Sequence, residues 1–205
     1  MIVNEKEMYH IHNNKVYNDL WIPGNEIIID DNFDASYSRI LKYFSTAINI
    51  DNQIVTLNEI IDYYLKKDPS KEFLIELLKN ASHIILGMNI FKRELALEEI
   101  RIQRYSDLPS RRHSIWLCDK EGLEFWEKQI SNRGKYDVNL YKVLVSGNLF
   151  KTSECFIPND YSDYYTNLME AKTYWNPKFE NEEQEKRAEY LFQGKLKILE
   201  KINNK

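Results

Sequence analysis

Two histidines stand two residues apart in the stretch "YHIH", at His10 and His12. Along a strand successive side chains alternate, so both imidazoles share one face and Tyr9 and Ile11 take the other. Such a pair can ligate a transition metal or hydrogen-bond a sugar or amide ligand. The plainer alternative is two ordinary strand histidines, although the chain has only four in all. A second constellation, "RRHSIWLCDKEGLEFW", spans residues 111–126. Ile115 and Leu117 read as a core face, which turns Ser114, Trp116 and Cys118 to the other side. Phe125 and Trp126 follow on a helical pattern. Arg111 and Arg112 precede the strand, and guanidinium groups grip phosphate oxygens in bidentate fashion. Solvated arginines and core tryptophans are the competing reading. The third group is Glu189, in "AEYLFQG", an acid leading an apolar run. It either points into a cleft or closes the acidic run "ENEEQEKRAE".

These residues need elements to hold them. "EMYHIHNNKVY" reads as a first strand from Met8 or Tyr9, interrupted at the turn pair Asn13-Asn14. Pro23-Gly24 marks a turn before the short apolar run "EIII". The spacing of Ile40, Leu41, Phe44 and Ile48 predicts a helix over residues 35–48. "TLNEIIDYYLKK" opens on Thr56 with Glu59 three residues on, a capping box, and Pro69 ends that helix. Residues 70–104 form one long helix, or two divided at Gly87, with Phe73, Leu77, Ile84, Ile85, Phe91, Leu95 and Ile102 as its buried stripe. "SIWLC" has strand length and "KEGLEFWEKQIS" is helical. "VNLYKVLVSGNLF" is β-rich with a turn at Gly147-Asn148. "DYSDYYTNLMEAKTYW" is helical up to Asn176-Pro177, and "ENEEQEKR" is a charged connection or a helix tip. "AEYLFQGKLKIL" is β-like, with a bend or bulge at Gly194. The whole predicts a single α+β domain over residues 1–205, with residues 35–105 a mainly helical insert.

The chain has 205 residues, enough for one well-buried domain. A net charge of −4 argues against a general nucleic-acid binder, which needs surplus cations for phosphate. Fourteen tyrosines exceed what a minimal core requires, and some are expected to line a cleft. Cys118 and Cys155 lie far apart and fit no metal spacing, so a reducing cytoplasm is expected. No apolar run approaches the ~18 residues of a membrane span, and the first residues lack a signal-peptide core.

"YHIH", "SIWLCD" with "KEGLEFW", and "EYLFQGKLKIL" together resemble the three motifs of the ADP-ribosyltransferase superfamily, in its histidine–tyrosine–glutamate branch. Their order along the chain is that of the branch. Over its length the chain also resembles a bacterial family of unknown function. The superfamily resemblance implies a split-sheet α+β core with a cleft that binds NAD, which is the substrate. It implies that His10 hydrogen-bonds a ribose hydroxyl, with His12 and Ser114 beside it. It implies that Trp116 and either Phe125 or Trp126 sandwich the nicotinamide, and that Arg111 or Arg112 holds the pyrophosphate. Glu189 would bind the 2′-hydroxyl and stabilise an oxocarbenium-like transition state. The sequence departs from the pattern at Ile11 for glycine, His12 for serine or threonine, Ser114 for glycine and Trp116 for tyrosine. The implied activity is ADP-ribose transfer to a protein or nucleic-acid acceptor, or NAD hydrolysis.

Three other expectations stand beside that one. The same fold could serve as an inactive nucleotide-binding or interaction module. His10 and His12 with a carboxylate could form a metal-dependent hydrolase, for which no third ligand is convincingly spaced. The tyrosine-rich segment could be a contact surface, since aromatics favour interfaces.

Overall fold

The computed structural model describes residues 1–13, 20–33, 47–50, 53–66, 70–132 and 136–202. In chain order these hold β1 (Ile2–Asn13), β2 (Glu26–Ile29), β3 (Ala47–Ile50), β4 (Gln53–Thr56), α1 (Leu57–Leu65) and α2 (Lys71–Arg104). There follow β5 (Ile115–Leu117), α3 (Leu123–Ile130), β6 (Val138–Ser153), a 3-10 turn (Glu154–Phe156), α4 (Tyr164–Trp175), α5 (Glu182–Lys186) and β7 (Ala188–Ile202). The class is α+β.

Long β6 and β7 form the spine, antiparallel from Leu140↔Ile202 to Ser153↔Ala188. β1 pairs with the free edge of β6. The far edge of β7 is shared: β2 takes residues 194–197 and β5 takes residues 190–192. β5 runs on into Cys118, which exchanges two backbone hydrogen bonds of 2.9 Å with Tyr9 of β1. The path β1–β6–β7–β5 therefore curls round and touches itself at one residue pair. Elsewhere β1 and β5 diverge, and that split is where the site lies.

Alternation along the strands builds two cores back to back. Met8, Tyr141, Val143, Val145, Leu149, Phe192, Leu196 and Ile198 fill the inside of the curl, with Ile29 and Trp21. Phe150 and Leu191 point to the other face, where α2 and α4 cover them with Leu97, Ile100, Ala171, Tyr174 and Trp175. Full burial of each such side chain stabilises by roughly 1.5–3 kcal/mol. A third group, Ile11, Cys118 and Leu140, packs under Leu123, Trp126 and Ile130 of α3.

Several local expectations hold. The Thr56–Glu59 capping box forms reciprocally, with Thr56 N donating to Glu59 Oε2 at 2.7 Å and Glu59 N donating to Thr56 Oγ1 at 3.3 Å. α4 ends at Trp175 with Asn176 as its cap. Cys118 and Cys155 are both free thiols. No helix among the described residues is long and apolar enough to cross a membrane.

Other expectations are corrected. β1 begins at Ile2, well before Met8. Most of the helix expected over residues 35–48 lies outside the described residues, as do Val16 and Pro69, but Ala47–Ile50 is a strand paired with Gln53–Thr56. The long helix is one unbroken 34-residue element, capped by Ser70 and uninterrupted at Gly87. Its buried face is not the apolar stripe. Ile85 and Ile102 are 62% and 60% exposed, while Glu94 and Glu98 are buried. The carboxylates go inside because Arg111, Arg101 and Ser110 bond them there, and burial of a charge is tolerated only when it is paired.

β6 also runs straight through the turn expected at Gly147-Asn148. Gly147 faces Gly194 of β7, so the two glycines answer each other across the ladder. A Cβ on Gly147 would lie 2.4 Å from Gln193 O, and one on Gly194 would lie 2.5 Å from Ser146 O. Both have positive φ, 153° and 142°, which favours glycine. The register shift in this pair falls at Lys142/Val143, not at Gly194.

Candidate functional site

A cavity of about 760 Å³ opens where β1 and β5 part. Its volume is in the range of ordinary small-molecule sites. Of the sequence-derived candidates, His10, His12, Arg111, Ser114, Trp116, Trp126 and Glu189 all line it. Phe125 and Arg112 do not. Phe125 packs edge-on against Trp126 at 5.1 Å and lies under the Arg187 guanidinium at 5.5 Å. It sits one helix position away from Trp126, which by helical geometry turns it to another face.

Strand parity accounts for the convergence. His10 and His12 share the inward face of β1 with Met8. Trp116 pairs with Leu191, and Glu189 lies two residues before Leu191, so both belong to the helix-covered face. A closed ladder would separate those faces. The split between β1 and β5 lets both reach one space.

His10 crosses the split. Its Nδ1 lies 2.9 Å from the carbonyl oxygen of Trp116, and a carbonyl only accepts. Nδ1 therefore carries the proton, and Nε2 is left as an acceptor. Trp21 stacks on the His10 ring at 4.2 Å and 14° and lies 5.1 Å from His12. Burial drives the His10 pKa down to about 3, opposed by the Trp116 carbonyl and helped by His12. The ring is a neutral hydrogen-bonding group at physiological pH. It is not a cation.

That shift has a signed consequence for stability. The folded pKa lies below the ordinary value of 6.5, so the unfolded chain binds the proton more tightly. The His10 contribution is intact above pH 6.5 and is lost as the pH falls toward 3. Between pH 7 and pH 5 the loss is about 2 kcal/mol. Urea unfolding at the two pH values, compared with His10→Gln, measures it. The variant is expected to lose about 2 kcal/mol less than the parent, and equal losses would contradict the assignment.

At the other end, Glu189 is 4% exposed. Its Oε1 accepts from Arg111 NH1 at 2.9 Å and from the Tyr174 hydroxyl at 2.5 Å. Arg111 is itself buried, with its Nε 2.8 Å from Glu94 Oε2 and its NH1 also donating to the Tyr174 oxygen. Burial works against the Arg111 cation, but Glu94, Tyr174 and Glu189 outweigh it and hold the pKa well above its ordinary value. Burial likewise holds the Tyr174 phenol well above its ordinary value, against Arg111 and with Glu189. The network thus contains a protonated phenol and a fixed cation.

Trp126 is fixed by its Nε1–H, which donates to Ala188 O at 2.7 Å, next to Glu189. Trp116 has the Arg111 guanidinium 5.4 Å from its ring. Ser114 Oγ is fully buried and has no hydrogen-bond partner among the described residues. Cys118 also lines the cavity, but burial, with Asp119 adjacent, pushes its thiol up to about 12. It is no ready nucleophile. Among the described residues no group of three or more His, Cys, Asp or Glu side chains could hold a metal ion.

A family model described as a protein of unknown function (DUF2441) covers residues 8–204. The chain belongs to that family. No curated protein matches the sequence. In this DUF2441 chain the matched span takes in β1 from Met8 onward, β5 and β7, and so every candidate residue named above.

Three residues of the DUF2441 site escape a reading of the sequence. Trp21 precedes a Pro-Gly turn in a short apolar run, with nothing local to tie it to the histidines. Glu94 lies on a helix whose apolar pattern directs attention elsewhere. Tyr174 is one of fourteen tyrosines. Only the packing of α2 and α4 over the sheet brings Tyr174 to Glu189 and Glu94 to Arg111.

Proposed function

We propose that this protein cleaves the glycosidic bond of NAD, as an ADP-ribosyltransferase or NAD glycohydrolase. The reading rests on one observation: His10, Trp116 and Glu189, from three distant stretches, line the same cavity. Their order follows the motif resemblance in the sequence.

The bond to be broken joins ribose C1′ to the ring nitrogen of nicotinamide. The bonding pair leaves with nicotinamide, which departs neutral, and positive charge grows on the sugar. A nucleophilic group of a protein or nucleic-acid acceptor, or water, then attacks C1′ and loses its proton to solvent. In this scheme Glu189 binds the 2′-hydroxyl and stabilises the growing charge from a site sheltered from water, where a fixed charge acts strongly. His10 accepts a ribose hydroxyl hydrogen bond at Nε2. Trp116 and Trp126 flank the planar ring, with Ser114 and His12 completing the wall. Arg111 serves Glu189 and not a pyrophosphate, because Glu94, Tyr174 and Glu189 already take its donors.

The same ion pair favours a second reading, a binding module without turnover, since a guanidinium against Glu189 offsets its charge. One experiment separates the two. The purified protein is mixed with NAD, released nicotinamide is followed by chromatography, and binding is followed by quenching of tryptophan fluorescence. Quenching with release supports the enzyme. Quenching without release supports the module. Neither signal overturns both.

A further inference from the structure

α2 and α4 carry none of the three motifs, yet each sends one side chain to Glu189 or its partner. We propose that Tyr174 is the positioning residue of Glu189, acting together with an Arg111 that Glu94 holds in place. The inference rests on the reading that Glu189 faces the ligand.

The backbone at Tyr174 is fixed from two sides. Thr152, paired with Glu189 across β6 and β7, donates its hydroxyl to Tyr174 O at 2.8 Å. The neighbouring Trp175 donates Nε1–H to Leu97 O of α2 at 2.7 Å. The Tyr174 side chain is completely buried. Its oxygen accepts from Arg111, so its single hydrogen goes to Glu189 Oε1. Arg111 NH1 donates to that same oxygen. Two donors on one oxygen stop the carboxylate from turning without breaking both bonds, and Oε2 takes neither of them.

Glu94 has a distinct part. It takes Arg111 Nε at 2.8 Å and NH2 at 3.5 Å, which is the edge of the fork that would grip a carboxylate with two bonds. With that edge occupied, Arg111 meets Glu189 through NH1 alone. Glu189 is held without being drawn into a bidentate pair. On this account the helical layer orients the acid that the sheet supplies.

The test compares Tyr174→Phe with Tyr164→Phe. Tyr164 lies on the same helix and donates to Glu99, and neither residue lines the cavity. Both variants remove one phenol-to-carboxylate bond between α4 and another element, so Tyr164→Phe reports the purely structural effect. Tyr174→Phe is expected to lower kcat for nicotinamide release about 10- to 100-fold, with KM within about threefold. Tyr164→Phe is expected to leave both constants unchanged. A crystal structure of the Tyr174→Phe protein is expected to show the Glu189 carboxylate rotated from its wild-type position. A Glu189 that superimposes on the wild type overturns the proposal, whatever the kinetics. If the wild type releases no nicotinamide, the enzymatic reading falls, and the crystallographic comparison still decides this one.

Discussion

On the proposed mechanism, Glu189→Gln is expected to lower nicotinamide release at least 100-fold, with a much smaller effect on NAD affinity. The substitution keeps shape and acceptor: the amide oxygen still receives hydrogen bonds from Tyr174 and Arg111, which now meet on Oε1. What goes, on that mechanism, is the negative charge beside the departing nicotinamide. Removing one preorganised electrostatic group from an active site lowers turnover about 10²–10³-fold. The proposed contacts from His10, Trp116 and Trp126 are untouched and only the Glu189 contact to the 2′-hydroxyl changes, so most of the loss is expected on kcat rather than KM. The fold also survives, because Glu94 remains as a buried counter-ion for Arg111. Rate and quenching measurements on parent and variant, with thermal unfolding as a control, test this. Undiminished release by a folded variant removes Glu189 from the mechanism.

The second large effect concerns stability. Arg111→Met is expected to destabilise the protein by about 3–5 kcal/mol. The guanidinium is the shared partner of Glu94 and Glu189, at 2.8 Å and 2.9 Å, with side-chain exposures of 3–5%. Its removal takes the cation from buried Glu189, which keeps the Tyr174 hydroxyl, while Glu94 keeps Arg93 at 3.0 Å. It also removes a cation that lies 4.8 Å from the Tyr174 ring and 5.4 Å from the Trp116 ring. Methionine refills part of the volume, so the loss is chiefly electrostatic. Urea unfolding at pH 7 measures it. The double change Arg111→Met with Glu189→Gln is expected to recover much of the loss, because it also removes the buried charge left without a cation. A decrease below about 1 kcal/mol for Arg111→Met alone would mean that the buried pair is not what holds this layer together.

The two effects have different origins, and the sequence shows them to different degrees. His10, Trp116 and Glu189 announce themselves by local context: His10 is one of two histidines on one strand face, Trp116 stands in the apolar run "SIWLC", and Glu189 leads the apolar run "AEYLF". Alternation then fixes which neighbours share their faces. Arg111 stands out for the wrong reason. Beside Arg112 it reads as a phosphate grip, whereas it is buried between two carboxylates. Arg112, its neighbour in the chain, stays outside the cavity lining. Glu94 and Glu98 mislead in the opposite sense, since an apolar stripe predicts that carboxylates lie outside.

By itself the sequence determined the α+β class, the strands around His10, Trp116 and Glu189, the cap at Thr56 and the helix end at Asn176. Those follow from periodicity and from side-chain bonding to nearby backbone, which are local. Tertiary structure alone decided that β1 and β5 touch once and then part, that Gly147 and Gly194 meet across a continuous ladder, that Tyr174 reaches Glu189 and that Glu94 reaches Arg111. Each of these depends on contacts between residues distant in the chain. A buried charge in particular carries no local mark, because what allows its burial is a partner supplied by another element.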